Sequence, residues 1–312
     1  MEMRVKDYYH TEDLNNVLGN YISWLQAVPV IPDGLIGDSY TDCFGVRWAN
    51  VGATRGYVVE HPLAEPSLKD YEFPEPCPAK RVQELKQSLQ TDRDLFKIVK
   101  LGDLYERANF LRGMDKLMVD MYLHPDFVDD LFEKLLDFNI SVVDRLDGLS
   151  IDALSLSDDY GHERGLLISP KLWRRFIKPR LLTLVNEIKE KGFYAFLHSD
   201  GDVSAIVPDL IEIGFDAIHP VQPEAMNLAF LKQKYGSSLT FFGGFSTQRT
   251  FPLSTPTEIS RHVAQTVKTL GKGGGFIISP GICMMEDVPL ENAVAFIETV
   301  RNNRGVDTEE LW

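Results

Sequence analysis

Between Ile151 and Val300, short apolar runs alternate five times with amphipathic helical stretches, and few folds accommodate that pattern. The runs are Ile151–Ser157, Phe193–His198, Phe215–Val221, Ser238–Phe245 and Gly275–Gly281; the helices are expected over about 170–191, 203–213, 228–235, 257–270 and 289–300. Strands joined through helices are parallel with right-handed crossovers. Upstream, Leu95–Leu101 reads as another strand, the Pro-bracketed run Ala27–Pro32 reads as a first one, and helices are expected over 79–91, 104–123 and 126–146. The count fits an α/β fold of the (β/α)8 TIM type over residues 79–312. Residues 1–78 then form an N-terminal extension packed on the barrel as part of one structural domain, with an amphipathic helix over 11–26 and an irregular excursion with a hairpin from Asp33 to Pro78. An open doubly wound sheet is the alternative, but neither G-x-G-x-x-G after a strand nor G-x-x-x-x-G-K-[ST] occurs.

Charge narrows the partners. The chain has 46 acidic and 32 basic residues, a net charge of −14, and such a field repels nucleic acid and anionic membranes. Three scattered cysteines, Cys43, Cys77 and Cys283, make no disulfide framework and no C-x-x-C pair, which suits a reducing cytoplasm. The first residues carry no apolar leader, and no run of eighteen uncharged apolar residues occurs. A cytoplasmic protein is the expectation, with a homodimer open to it.

In a barrel the strand C-termini open on one face, so candidate residues can be gathered from the strand ends. They include Asp158, Asp159 and Tyr160; His198, Ser199 and Asp200; His219, Gln222 and Glu224; Gly243, Gly244 and Phe245; and Ser279, Gly281, Ile282 and Cys283. His198 and Asp200 stand at i and i+2, on the same side of an extended segment, and could share a metal or a substrate. A hydrogen-bonded pocket histidine followed by an Asp-Gly turn is the plainer reading. Asp158 and Asp159 are candidates for acid–base work or for a helix cap, and Cys283 for a soft metal ligand or for packing beside Met284 and Met285. Gly243-Gly244 permits close ligand approach or merely a tight turn. Arg107 and Arg112, near a predicted helix start, are either a solvated face or an anion clamp.

Taken in order, His198-Ser-Asp-Gly-Asp202, Ile218-His-Pro-Val-Gln-Pro223, Phe242-Gly-Gly-Phe245, Gly273-Gly-Gly-Phe-Ile-Ile-Ser-Pro-Gly281 and Val288-Pro-Leu-Glu-Asn-Ala293 resemble the C-terminal half of the uroporphyrinogen decarboxylase superfamily. Phe44-Gly-Val-Arg-Trp48, Tyr105–Gly113, Asp158-Asp-Tyr-Gly161 and Leu167-Ile-Ser-Pro170 fit the same superfamily. The resemblance implies a (β/α)8 barrel. True uroporphyrinogen decarboxylases carry an arginine-rich Met-Arg-Gln-Ala-Gly-Arg type segment and a His after the last strand's Gly; this chain lacks the first and has Ile282 at the second. The superfamily's cobamide-dependent methyltransferases bind zinc through His-x-Cys and through a Cys after Ser-Pro-Gly. Here His198 matches the His, Asp200 replaces the first Cys, and Ile282 takes the second position with Cys283 one residue later.

What the resemblance implies is methyl transfer from a small methylated substrate to the corrinoid of a separate protein, since no D-x-H-x-x-G cobalamin segment is present. In that scheme His198 and Asp200, with Cys283 as a shifted ligand, hold zinc or polarise the leaving heteroatom. Asp158 or Asp159 supplies a proton, and Tyr160, His219, Gln222, Gly244, Phe245, Arg107 and Arg112 shape the substrate pocket. A decarboxylase or lyase acting on a porphyrinogen-like or small carboxylate substrate, and a non-catalytic ligand-binding barrel, are the alternatives.

Overall fold

A computed structural model describes residues 1–14, 18, 20–28, 38–51, 54–91, 94–281, 284 and 286–303. The chain divides into two compact units, one of residues 24–159 and 168–195, the other of residues 1–23, 160–167 and 196–312.

In the unit built on residues 24–159, the strands Ile22–Gln26, Phe96–Lys100 and Ala153–Ser157 are neighbours in that order, the last two parallel with Ile98 opposite Ala153. Apolar side chains fill the strand centres, with Ile98, Val99, Ala153 and Leu154 fully buried. Helix Pro125–Leu146 starts with Pro at its first turn and buries Val128, Leu131, Phe132 and Leu135 at three- and four-residue spacing. The excursion after residue 38 is an antiparallel sheet of Ser39–Thr41, Arg47–Val51 and Thr54–Glu60.

Its anchor is a buried charge. Asp42 Oδ1 accepts the backbone N–H groups of Phe44 and Val46 at 2.9 and 3.0 Å. Its Oδ2 accepts Trp48 Nε1–H at 3.2 Å and Arg107 at 2.9 Å. The sheet is thereby tied to helix Tyr105–Arg112.

In the other unit, Tyr194–His198, Ala217–Val221, Thr240–Phe245 and Phe276–Pro280 lie side by side in sequence order, each adjacent pair parallel. Tyr194 itself belongs to the first unit, where its N–H donates to Asp152 O at 2.9 Å. Neither unit reverses its strand order, which is the arrangement of a barrel; the doubly wound alternative requires a reversal. Helix Pro256–Leu270 opens with a full capping box between Thr255 and Glu258. Phe245, Phe251 and Phe296 form its aromatic core, centroids 4.7 to 5.2 Å apart.

Three expectations need correction. The helix over 11–26 gives way to a strand at Ile22–Gln26, with helical residues kept at Leu14 and Leu18, because pairing beside Phe96–Lys100 overrides the spacing. The helix over 104–123 breaks at Gly113, whose φ of 90° an L side chain rarely adopts. The helix over 170–191 breaks at Ile177 into Pro170–Phe176 and Lys178–Glu190. The run 27–32 lies largely outside the described residues.

Asp129 joins three helices of the first unit: Arg175 donates to it at 2.9 Å and Arg180 at 2.8 Å. Burial raises its carboxyl, but the hydrogen bonds from the two arginines outweigh this and hold it below its ordinary value. A depressed carboxylate stabilises the fold above its unfolded pKa and stops doing so as the pH falls through its folded value. Asp129→Asn should therefore cost about 1–2 kcal/mol in urea unfolding at pH 7, a deficit that shrinks to nothing as wild type and variant are titrated below about pH 4.

Candidate functional site

The register of two parallel strands builds the site. His198, the last residue of Tyr194–His198, is the register partner of His219 in the middle of Ala217–Val221. Their Nδ1 atoms lie 2.9 Å apart, a hydrogen bond in which one ring donates and the other accepts. Phe242, on the next strand, meets His219 edge-on at 4.6 Å. Ser199 N–H donates to His219 O at 2.7 Å, and the His219–Pro220 peptide is cis.

Past the strand end, Asp200 and Gln222 lock together. Gln222 Nε2–H donates to Asp200 Oδ1 at 2.9 Å while Gln222 Oε1 accepts Gly201 N–H at 2.7 Å. These contacts fix the orientation of the carboxylate. A ring nitrogen of His198 and a carboxylate oxygen of Asp200 lie within 4.8 Å of one another, so the pair converges as an i, i+2 spacing predicts. Both residues are half-buried.

Backbone packing behind them is tight. Ser199 Oγ accepts Tyr160 N–H at 2.9 Å, and a Cβ on Gly201, at φ 81°, would sit 2.4 Å from Gly161 C. Only a residue without a side chain fits there.

Other candidates have structural duties. Asp158 is fully buried and accepts three backbone N–H groups, those of Leu104, Tyr105 and Glu106, at 3.2, 3.0 and 2.6 Å, at the start of helix Tyr105–Arg112. A carboxylate there also meets the positive end of the helix dipole. Arg112 gives Nε–H to Asp120 at 2.7 Å and its remaining contacts to the carbonyls of Leu63 and Ala64. Arg107 is paired with Asp42 and, at 3.3 Å, Asp103. Phe245 is a core residue, Tyr160 is fully buried, and a Cβ on Gly244 would meet Leu270 and Thr266. Cys283 and Ile282 lie outside the described residues. Sequence reasoning did not single out Lys100 or Ser157, although each ends a strand and the strand-end rule would have found them.

The family profile described as Uroporphyrinogen decarboxylase (URO-D) matches residues 107–303, well over half of the chain. The chain belongs to this family. Methylcobamide:CoM methyltransferase MtaA of Methanosarcina barkeri is 26% identical over 172 residues, 54% of this chain and 48% of that protein. Uroporphyrinogen decarboxylase of Christiangramia forsetii is 25% identical over 198 residues, 61% of this chain and 52% of that protein. The matched region thus spans about half the length of these relatives. A methyltransferase from Methanosarcina mazei shares the fold, with a TM-score of 0.63 at 19% identity over 79% of this chain and 72% of that one. No helix among the described residues is long and apolar enough to cross a membrane.

If Asp158 is a helix cap, Asp158→Asn, which keeps the shape but removes the charge facing three amides, should cost about 1–3 kcal/mol of unfolding free energy. Chemical denaturation of wild type and variant measures it; a difference under about 0.5 kcal/mol would deny the cap its weight.

Proposed function

We propose that this chain moves a methyl group from a small methylated substrate to the corrinoid of a partner protein, with a zinc ion held by His198 and Asp200. The observation that carries this reading is the convergence of His198 and Asp200, each oriented by a neighbour of its own. An imidazole nitrogen and a carboxylate oxygen are both ligand types that zinc takes. Bound zinc would supply Lewis acidity at the heteroatom that gives up the methyl group.

The chain's own residues do the rest. With both imidazoles neutral, the ring that donates from Nδ1 keeps its Nε2 lone pair, and the acceptor ring carries Nε2–H. Assigning the donor role to His198 gives it a basic Nε2 for a metal and makes His219 its orienting partner. Gln222 does the same for Asp200. A nitrogen–oxygen set is harder than a thiolate set, which favours an O- or N-methyl donor over a thiol. The relative named for methylcobamide:CoM methyl transfer supports group transfer. Decarboxylation is the second reading, favoured by the relative named for that reaction. Against it, the donors of Arg112 are engaged with Asp120 and two carbonyls, so that arginine is a poor carboxylate clamp.

Two measurements test the reading. Mass spectrometry of purified protein should find about one zinc per chain, lost in His198→Ala and Asp200→Ala and bound about 10- to 100-fold more weakly in His219→Phe. Incubation of methoxylated and N-methylated compounds with a reduced corrinoid protein should give methylcobalt absorbance only when this chain and its zinc are present. Wild type that stays metal-free after zinc supply would sink the metal role, and carbon dioxide release from a carboxylate substrate without any corrinoid would move the function to decarboxylation.

A further inference from the structure

Gly201, Gly243, Gly244 and Gly281 stand at or near strand ends in the unit that holds His198 and Asp200, and the fold requires the first three. At each of these φ is positive, and a Cβ would come within 2.4, 2.9 and 2.9 Å of another atom. Gly281 differs. Its φ is not positive, and a Cβ there would meet its three nearest atoms at 3.6, 3.9 and 3.9 Å, which are ordinary contact distances. The space beside Gly281 is therefore one heavy atom wide, and no backbone requirement explains it.

Three groups wall that space: Thr247 Oγ1, the carbonyl oxygen of Phe245 and Cγ of Gln222. Gln222 ties the slot to the site, because its carboxamide is the group that orients Asp200. Phe245 O accepts Gly281 N–H at 3.3 Å and keeps a second lone pair. The hydroxyl of Thr247, a half-buried residue, has no hydrogen-bond partner among the described residues. Its neighbour is fully engaged: Ser246 Oγ donates to Glu224 and accepts the N–H groups of Arg249 and Thr250 at 3.2 and 3.1 Å. Further along, Asn292 donates to Phe251 O at 2.8 Å and Ser254 O at 2.7 Å. The loop that carries Thr247 is thus pinned on both sides, and its hydroxyl is held at the slot.

A slot with a hydroxyl on one wall and a carbonyl on another fits a group of one heavy atom that both gives and takes a hydrogen bond. We propose that the slot beside Gly281 reads a free hydroxyl on the substrate, which donates to Phe245 O and accepts from Thr247 Oγ–H. The substrate class is then a hydroxylated methyl ether or methylamine, an inference that rests on the methyl-transfer reading. A methyl group in the same place leaves the Thr247 hydroxyl unpaired.

Calorimetric titration of the full chain, without corrinoid, tests the proposal with two series of probes. One is methoxyethanol, methoxypropanol and methoxybutanol, with the two groups at opposite ends; the other is methoxypropane, methoxybutane and methoxypentane, in which a methyl replaces the hydroxyl. At least one methoxyalcohol should bind with a Kd on the order of 1 mM, about 10-fold tighter than its methyl counterpart. Thr247→Val should bring the two within about 2-fold, and Thr247→Ser should keep the preference. Gly281→Ala, which fills the slot at ordinary contact distance, should remove it. Unfolding midpoint and zinc content of the variants should match wild type. Methyl transfer to a reduced corrinoid protein is scored separately: hydroxyl-dependent binding without transfer would refute the reaction and support the slot. Binding of neither series by wild type, equal binding of both, or a preference that survives in Thr247→Val or Gly281→Ala would each overturn the assignment.

Discussion

The parallel register that sets His198 opposite His219 is the constraint on which the site depends. Hydrogen bonding between two strands fixes it before any side chain is chosen, and it places two imidazoles at one strand-end level with their Nδ1 atoms in contact. A slip of one strand by one residue would turn its ring to the opposite face and part the pair. Gly161 and Gly201 allow the following turn to pack against the chain behind it, and Gln222 closes the arrangement around Asp200. Each polar group near the strand ends therefore has its orientation set by a backbone amide or a neighbouring side chain. Such support is what holds a binding constellation within the tolerance chemistry requires.

The other unit spends its charges differently. Asp158, Asp42 and Arg107 are nearly or wholly buried, and each is satisfied by two or more hydrogen bonds. A buried charge with its partners in place costs little, while removal of one partner leaves the other uncompensated. These residues are tuned to hold the excursion and helix Tyr105–Arg112 to the strands.

Much of this was legible in the sequence, and the failures have physical causes. Helices Ala79–Thr91 and Leu228–Tyr235 span the residues over which the sequence predicts them. The convergence of His198 and Asp200 follows from an i, i+2 spacing at a strand end. What the sequence could not reveal is how the three-dimensional neighbours divide the labour. Asp158 and Asp159 are indistinguishable as adjacent letters, yet one caps a helix, a role that depends on a contact more than fifty residues away. Arg112 is an anion clamp or a structural tie depending on Asp120, and Phe245 is a pocket wall or core depending on Phe251 and Phe296. Register, too, is a long-range property, so the His198–His219 contact was invisible even though both residues were candidates.

The zinc site proposed at His198 and Asp200 offers an imidazole nitrogen and a carboxylate oxygen, with no thiolate. X-ray absorption at the zinc edge of the reconstituted protein tests it most directly. The account predicts a first shell of nitrogen and oxygen scatterers at about 2.0–2.2 Å. A sulfur scatterer at about 2.3 Å would bring a cysteine into the site and contradict it.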